Sequence, residues 1–226
     1  MPLSLQKLSA PEAARLLAES LVVLPTGSLE QHCNAPLGLD AMLAEALAWR
    51  ACERLEEAGV QCVIAPPLAY GFSPEWTSAP GTVSIPAPVY VGLVKSILVG
   101  LARSGARRAA IVNGHAGNSG LLEAAAREAV LESPSLTVAV VDYWRPAGAR
   151  LGHCTGLEER LARELLGLNI ECKCPETLET PPYRAATGPH GLAGIPSEAR
   201  PAEEIVASLA KALLEASKLR RGDPLI

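Results

Sequence analysis

The chain alternates short apolar runs with longer segments of helical periodicity, and this alternation restricts its possible folds most. The apolar runs have the length and composition of buried strands, and they cover residues 21–24, 61–65, 108–112 and 136–142. In the other segments apolar residues recur every three or four positions, which predicts helices at 39–55, 89–103, 119–131, 156–167 and 201–219. Such alternation indicates a mostly parallel sheet that is covered by helices on both faces. We expect a three-layer α/β/α fold in a single domain that spans residues 1–226.

Composition and charge narrow the classes of function. The formal charge of −4 comes from 20 basic and 24 acidic residues spread along the chain, so no basic surface is predicted to neutralise a phosphate backbone. The N-terminal segment lacks the basic-then-apolar order of a secretory signal, and no apolar run approaches the roughly 20 residues of a membrane span. We therefore expect a cytoplasmic protein that binds neither nucleic acid nor membranes.

The cysteines show no regular spacing. They occupy positions 33, 52, 62, 154, 172 and 174. Disulfides are rare in a reducing cytosol, so mostly free thiols are expected. Cys33 and Cys154 each directly follow a histidine, where a cysteine could be a soft metal ligand or a small residue that fills space, and we expect space filling.

The segment after the first predicted strand holds three potential metal ligands. Glu30 and His32 alternate in the extended sequence GSLEQH, so their side chains share a face. Asp40 follows in PLGLD, at the start of a predicted helix. Carboxylate and imidazole together are ligands that Zn, Mn or Fe accept. The structural alternatives are a solvated Glu30, a hydrogen-bonded His32 and an Asp40 that caps its helix.

The motif NGHAGN directly follows another predicted strand. Its two glycines and two asparagines allow a sharp turn and a close approach to a ligand, while His115 projects from the strand end. Ligands in α/β folds bind at the carboxyl ends of the strands, where this motif also lies. A turn with a surface histidine would look similar, and so would a glycine-rich turn that cradles phosphate before a helix, although no P-loop lysine is present.

A third cluster begins where the last predicted strand ends. Asp142, Tyr143 and Trp144 follow that strand, and His153 comes shortly after them. Glu158 lies three residues after a threonine, which is the spacing of a helix capping box. A structural role and a functional role for Glu158 therefore both remain open.

Taken in order, GSLEQH with PLG-x-D, PGTVSIP, NGHAGN and GH-x₄-E resemble the motifs of the creatininase family. The resemblance covers residues from about 20 to about 200. It implies a three-layer α/β fold, two divalent metal ions (Zn, Mn or Fe) per chain and a homo-oligomer. Activities known in this family are creatinine ring opening, deformylation of a formylamino-pyrimidine and trimming of a modified peptide.

The resemblance also implies a ligand set. By their positions in the motifs, Glu30 and His115 would bind one metal and His32 the other. Asp40 would bridge the two metals. Glu158 matches the acidic position of the family motif HAG-x-x-E, and it would complete the second metal site.

The remaining motif positions imply roles at the substrate. His153 matches the histidine of HAG-x-x-E, and it is expected to assist proton transfer or to stabilise the oxyanion. The substrate pocket would be lined by Asp142, Tyr143 and Trp144. Trp76, in SPEW, stands where family members commonly have a histidine, so an indole replaces a polar contact.

The chain departs from the family pattern at two loops. Cys33 replaces a glycine, and the interval between Glu30 and Asp40 is one residue shorter than usual. Cys154 and Thr155 replace the Ala-Gly of the last motif. The shorter interval between Glu30 and Asp40 is expected to reshape the loop beneath the metals.

The predicted function is that of a dinuclear metal-dependent hydrolase. It would cleave a non-standard C–N amide bond in a small molecule, such as a cyclic amide, a formamide or a peptide-like amide, through a metal-bridged hydroxide. One alternative is a degenerate metal-binding or structural member of the family without hydrolase activity. Another is a two-metal phosphoester hydrolase, although no Arg or Lys lies inside the motifs to clamp phosphate.

Overall fold

The computed structural model describes residues 1–172 and 199–220. The strands of this part of the chain are β1 (Leu3–Ser4), β2 (Leu21–Thr26), β3 (Cys62–Ile64), β4 (Arg108–Asn113) and β5 (Thr137–Asp142). The helices are α1 (Ala10–Leu16), α2 (Leu39–Glu57), α3 (Ala87–Arg103), α4 (Ser119–Glu132), α5 (Gly156–Leu166) and α6 (Ala202–Ala216). None of the described helices is both long and apolar enough to span a bilayer.

The strands form one parallel sheet in the order β1-β3-β2-β4-β5. Successive side chains of a strand point to opposite faces, and both faces of β2 are buried. Leu21 and Val23 pack with α2, α5 and α6 in one hydrophobic core. Val22 and Leu24 pack with α1, α3 and α4 in the other. The predicted α/β class with a parallel sheet between two helical layers is therefore confirmed.

The main elements lie close to their predicted positions, with two differences. Strand β2 continues through Pro25, which the sequence suggested as its end. Proline has no N–H to donate, but the carbonyl of Pro25 accepts a hydrogen bond from the amide of Leu68 at 2.9 Å. The short elements β1 and α1 were not predicted, because two and seven residues carry too little periodicity to be recognised.

The order of the strands determines where a site can form. The connection from β2 leads through α2 to β3 on one side, and the connection from β3 leads through α3 to β4 on the other side of β2. Such a reversal opens a crevice at the carboxyl ends of the two adjacent strands. The segment with Glu30 and His32 follows β2, and the one with His115 follows β4. The segment between β3 and α3 lies at the same edge, where the main-chain N–H of Val83 donates to the carbonyl oxygen of Leu29 at 2.9 Å.

The expectation of mostly free thiols is wrong for three of the described cysteines. Cys154 and Cys172 form a disulfide with Cα atoms 5.3 Å apart, and Cys33 is also disulfide-bonded. Neither Cys33 nor Cys154 is therefore a thiol ligand or a simple space-filling residue. Cys52 and Cys62 are free thiols, in agreement with the expectation, and both are buried. The expected cellular compartment and the sequence spacing of the cysteines could not predict these bonds, because the bonded cysteines are brought together only by the tertiary structure.

Candidate metal centre

The predicted metal ligands converge at the carboxyl end of the sheet. They are almost fully buried, and they comprise Glu30, His32, Asp40, His115 and Glu158. Their ligand atoms form two groups, each within 4.8 Å, that could hold an ion: one with Glu30, Asp40 and His115, the other with His32, Asp40 and Glu158. Asp40 belongs to both groups, so it is the residue through which two neighbouring ions could share a ligand.

Asp40 divides its two carboxylate oxygens between two histidines. Oδ1 lies 3.0 Å from Nε2 of His32, and Oδ2 lies 3.1 Å from Nδ1 of His115. Oδ2 also accepts a hydrogen bond from the hydroxyl of Ser28 at 2.8 Å. The cap of α2 is Gly38, with no side-chain cap bond. Asp40 therefore faces the cluster and does not cap its helix, which removes the structural alternative for this residue.

Both buried histidines have one ring nitrogen bound to the main chain and the other turned toward carboxylates. Nδ1 of His32 lies 3.0 Å from the carbonyl oxygen of Glu30, and Nε2 of His115 lies 2.9 Å from that of Phe72. A carbonyl oxygen only accepts, so these nitrogens carry the protons. A metal-binding histidine usually donates its other ring N–H to an acceptor such as a main-chain carbonyl, as both of these rings do.

Glu30 contacts two imidazoles through one oxygen only. Oε1 lies 3.4 Å from Nδ1 of His115 and 3.3 Å from Nδ1 of His153. The other oxygen, Oε2, is buried and has no hydrogen-bond partner among the described residues. A buried carboxylate oxygen without a partner is costly, and a cation would satisfy it.

The position of Glu158 is compatible with both of the roles that the sequence left open. Its Oε2 accepts the main-chain N–H of Thr155 at 3.1 Å, and the capping box at the start of α5 is complete. Its Oε1 lies 3.9 Å from Nε2 of His32. The same carboxylate can therefore cap the helix and supply an oxygen to the cluster.

His153 lies at the edge of the cluster, between two other rings. The indole of Trp76 stacks on it with centroids 4.4 Å apart and an interplanar angle of 23°. The ring of His32 lies 4.7 Å away on a tilt of 36°. Trp76, predicted as a substrate contact, is only 5% exposed and packs against His153.

The cluster strongly perturbs the protonation of its members. Burial opposes a charge on each histidine, but the Asp40 carboxylate raises the pKa of His32 to about 10. Against the same burial, Glu30 and Asp40 together raise the pKa of His115 to about 10. Burial also opposes ionisation of Asp40, yet the two histidines hold its pKa below the usual value. Burial raises the pKa of Glu158 to about 7, and His32 acts in the opposite direction.

The residues predicted to line the substrate pocket are packed inside the protein. Asp142 accepts hydrogen bonds from Asn113 at 2.8 Å and from Ser119 at 2.9 Å, and its second oxygen pairs with Arg145 at 2.7 Å. Tyr143 and Trp144 belong to the hydrophobic core and contact each other edge to face. The Tyr143 hydroxyl is buried without a partner among the described residues. Burial raises the pKa of this hydroxyl, and so do the negative charges of Glu158 and Asp40.

Several residues that support the cluster were not singled out from the sequence. Ser28 contacts Asp40, and the hydroxyl of Ser73 lies 3.3 Å from Nε2 of His115. Gly114 lies so close to α2 that a Cβ there would meet the carbonyl oxygen of Asp40 at 2.3 Å. The first glycine of NGHAGN is thus needed for packing. For these serines and this glycine, the place in a recognised motif was the only available signal, since both residue types are common in any loop.

The donors present fit divalent metal ions. Three carboxylates and two imidazoles, all buried, are a mixture that Zn and Mn accept. The unpartnered Oε2 of Glu30 and the inward nitrogens of His32 and His115 leave lone pairs that need positive charge nearby. Protons on the imidazoles provide this charge in the metal-free cluster. Metal ions would replace those protons at the same ligands.

Known proteins are similar to this chain in sequence and in fold. A family model described as creatinine amidohydrolase matches residues 6–162. The chain is 34% identical over 114 residues to the creatinine amidohydrolase of Pseudomonas putida, and this aligned segment covers 48% of this chain and 42% of that protein. It is 40% identical over 110 residues to the mycofactocin precursor peptide peptidase of Mycolicibacterium smegmatis, and this aligned segment covers 46% of this chain and 43% of that protein. The aligned segments thus span less than half the length of these relatives.

Solved structures align over almost the entire chain. A mutant creatininase complexed with creatine has a TM-score of 0.78 and 25% identity, and the match covers 97% of this chain and 100% of that chain. A structure named creatininase Mn has a TM-score of 0.76 and 24% identity, and that match covers 96% and 97%. Since the family model matches well over half of the sequence, the chain belongs to the creatininase family.

Proposed function

We propose that this chain is a dinuclear metal-dependent hydrolase that cleaves a non-standard C–N amide bond in a small molecule. The observation that carries the proposal is the position of Asp40, whose two oxygens lie 3.0 Å and 3.1 Å from inward-facing nitrogens of His32 and His115. A single carboxylate between two such nitrogens suits a bridging ligand. One ion would be held by Glu30, Asp40 and His115.

The second ion would be held by His32, Asp40 and Glu158. Two divalent cations bound there would lower the pKa of a bound water and polarise the carbonyl of the scissile amide. Names of similar structures support Zn and Mn as the metals, because they include a creatininase Mn and a mutant creatininase of Zn-Zn type. Glu158 keeps its place through the capping bond to Thr155, so its second oxygen needs no rearrangement to bind.

Residues next to these ligands are placed to transfer a proton and to exclude water. His153 is 12% exposed at its side chain, whereas His32 is fully buried. Nδ1 of His153 lies 3.3 Å from Glu30, and this ring is suited to pass a proton to the departing nitrogen of the amide. Trp76 covers one face of the ring and excludes water from it. The unpartnered hydroxyl of Tyr143 is a donor available to a substrate or to a developing oxyanion.

The substrate class rests on the relatives and on the charge of the site. The two relatives named above are a creatinine amidohydrolase and a peptide peptidase, and both names describe cleavage of a C–N bond. A phosphoester would need cationic clamps, but the ion pairs of the described cluster involve only histidines and carboxylates. A cyclic amide, a formamide or a small peptide-like amide fits better. The cytoplasmic location, the homo-oligomer and the single domain expected from the sequence stay predictions.

The test combines metal content with a substrate screen. Protein stripped with a chelator is reconstituted with zinc or manganese and analysed by plasma emission for the number of ions per chain. The loaded protein is then assayed on lactams, formamides and short peptides by detection of the released amine. We expect close to two ions per chain and hydrolysis of at least one class. Two ions without hydrolysis of any class would favour the degenerate family member, and no bound metal would refute the proposal.

A further inference from the structure

The stacked rings around His153 hold the plane of its imidazole but not its orientation within that plane. Trp76 stacks at 4.4 Å and His32 lies at 4.7 Å, so the ring cannot tilt far. A 180° turn about the Cβ–Cγ bond would exchange Nδ1 with a carbon atom and leave these stacking contacts almost unchanged. The polar partners of the ring must therefore decide where its nitrogens point.

Gln31 is one of these partners, and the main chain determines how its amide is oriented. The side-chain oxygen Oε1 of Gln31 accepts the backbone N–H of Cys33 at 3.0 Å. A backbone N–H can only donate, so the atom that faces it has to be the oxygen. The amide nitrogen of Gln31 therefore faces Nε2 of His153, at 2.9 Å. An amide nitrogen can only donate, so Nε2 of His153 accepts this bond and carries no proton.

The proton of the neutral ring then lies on Nδ1, which faces Oε1 of Glu30 at 3.3 Å. We infer that Gln31 is a positioning residue that sets the tautomer of His153, so that the Nδ1–H donates to Glu30 and His153 does not bind metal. This inference rests on the proposed function, since it assigns His153 a place next to a metal ligand. It also explains why a histidine grouped with Glu30 and His32 need not be a third nitrogen ligand.

The consequence concerns the carboxylate of Glu30. With Oε1 held by His153, the unpartnered Oε2 is the oxygen left to bind a cation. Groups that orient a metal ligand in this way commonly change metal affinity by roughly 10- to 100-fold when they are removed. Gln31 would thus act on the metal through two hydrogen bonds, without touching it.

The first experiment locates the proton by nitrogen-15 NMR. Protein labelled at histidine and glutamine is measured metal-free and zinc-loaded, and the His153 signals are assigned by their loss in His153→Asn. We expect Nδ1 to carry the proton and Nε2 to be unprotonated in both states. A coupling between Nε2 of His153 and the amide nitrogen of Gln31, transmitted through their hydrogen bond, is also expected. A proton on Nε2, zinc bound to Nδ1, or the absence of this coupling would overturn the inference.

The second experiment reverses the role of Gln31 at His153 alone. Gln31→Glu keeps an oxygen that accepts the Cys33 N–H but replaces the amide donor by an acceptor. We expect a proton to appear on Nε2 of His153, with a melting temperature close to that of the parent. Gln61→Glu adds the same charge at an exposed position and should leave the His153 signals unchanged. An unaltered His153 spectrum in Gln31→Glu would mean that Gln31 only supports the loop. These readouts need no substrate, so they stand or fall separately from the amidase proposal.

Discussion

Oε1 of Glu158 lies 3.9 Å from Nε2 of His32, while the other oxygen of the same carboxylate is occupied by a helix-capping bond. The two roles make different demands, because the cap needs an acceptor whereas a metal site needs a negative charge. Substitution by a neutral residue of the same shape can therefore separate them.

Glu158→Gln should leave the fold intact and impair the metal site. The side-chain carbonyl of glutamine can still accept the Thr155 amide, and burial already favours an uncharged group there, since it raises the pKa of Glu158 to about 7. We expect a melting temperature within a few degrees of the parent in the metal-free state, and about one bound ion per chain by plasma emission instead of about two.

The matched control for this prediction is Thr155→Ala. It removes the hydroxyl half of the capping box and should cost roughly 1 kcal/mol of unfolding free energy without changing the number of bound ions. Two tightly bound ions in Glu158→Gln would show that Glu158 is a cap only.

Asp40→Asn should lose metal and also destabilise the metal-free protein. Asparagine keeps the shape but removes the charge that faces His32 and His115, and breaking a buried ion pair from one side costs about 3–5 kcal/mol. Urea unfolding measures the stability, and plasma emission should find at most about one ion per chain. Glu128→Gln is the control, because its solvent-exposed pair with Lys95 contributes little to stability and lies outside the cluster. Retention of two ions by Asp40→Asn would exclude a bridging role.

Metal binding should release protons, and the number released should depend on pH. His32 and His115, each with a pKa of about 10 in the metal-free cluster, both carry a proton at pH 8 that a metal displaces. We expect the ligands to release about two protons per chain at pH 8 and close to three at pH 6, where Glu158 is protonated as well, and ionisation of a metal-bound water would add to these numbers. Calorimetry in buffers of different ionisation enthalpy counts them. Release of fewer than one proton at pH 8 would contradict the assigned ligands.

The same pKa values give the metal-free protein a stability that depends on pH. A raised histidine pKa stabilises the fold fully below the unfolded value of about 6.5, and this contribution is lost as pH rises through about 10. For Glu158 the contribution is complete below about 4.5 and is lost as pH rises through about 7. The melting temperature of the metal-free protein should therefore fall between pH 7 and pH 10. Zinc-loaded protein, in which metal replaces the protons, should show a smaller fall.

Cys33 should be strained by its backbone conformation. Its φ of +54° lies in the left-handed region, which costs a residue with a Cβ about 1–2 kcal/mol. Cys33→Gly and Cys33→Ala lose the same disulfide, so their difference in unfolding free energy reports the backbone. Glycine should be more stable by about 0.5–1 kcal/mol, after the entropy that it loses on folding. Equal stabilities in urea unfolding would mean that the loop relaxes once the disulfide is absent.

The order of apolar runs and helical segments was enough to predict the parallel sheet and its two helical layers. Each buried strand had to be apolar on both faces, as the opposite packing of Leu21 and Val22 shows. The motifs around Glu30 and His115 also predicted a common site, because the carboxyl ends of parallel strands meet at one edge of a sheet. Both results follow from local patterns in the sequence.

The tertiary structure alone decided which atoms meet. Gln31 and His153 are 122 residues apart, and their 2.9 Å contact depends on strand register and on the path of two loops. The same holds for the disulfide of Cys154 and for the second oxygen of Glu158, which reaches His32 while the first caps a helix. A sequence pattern identifies the residue type that a position needs. It does not give the direction of a ring nitrogen or a carboxylate oxygen, which depends on partners contributed by distant segments.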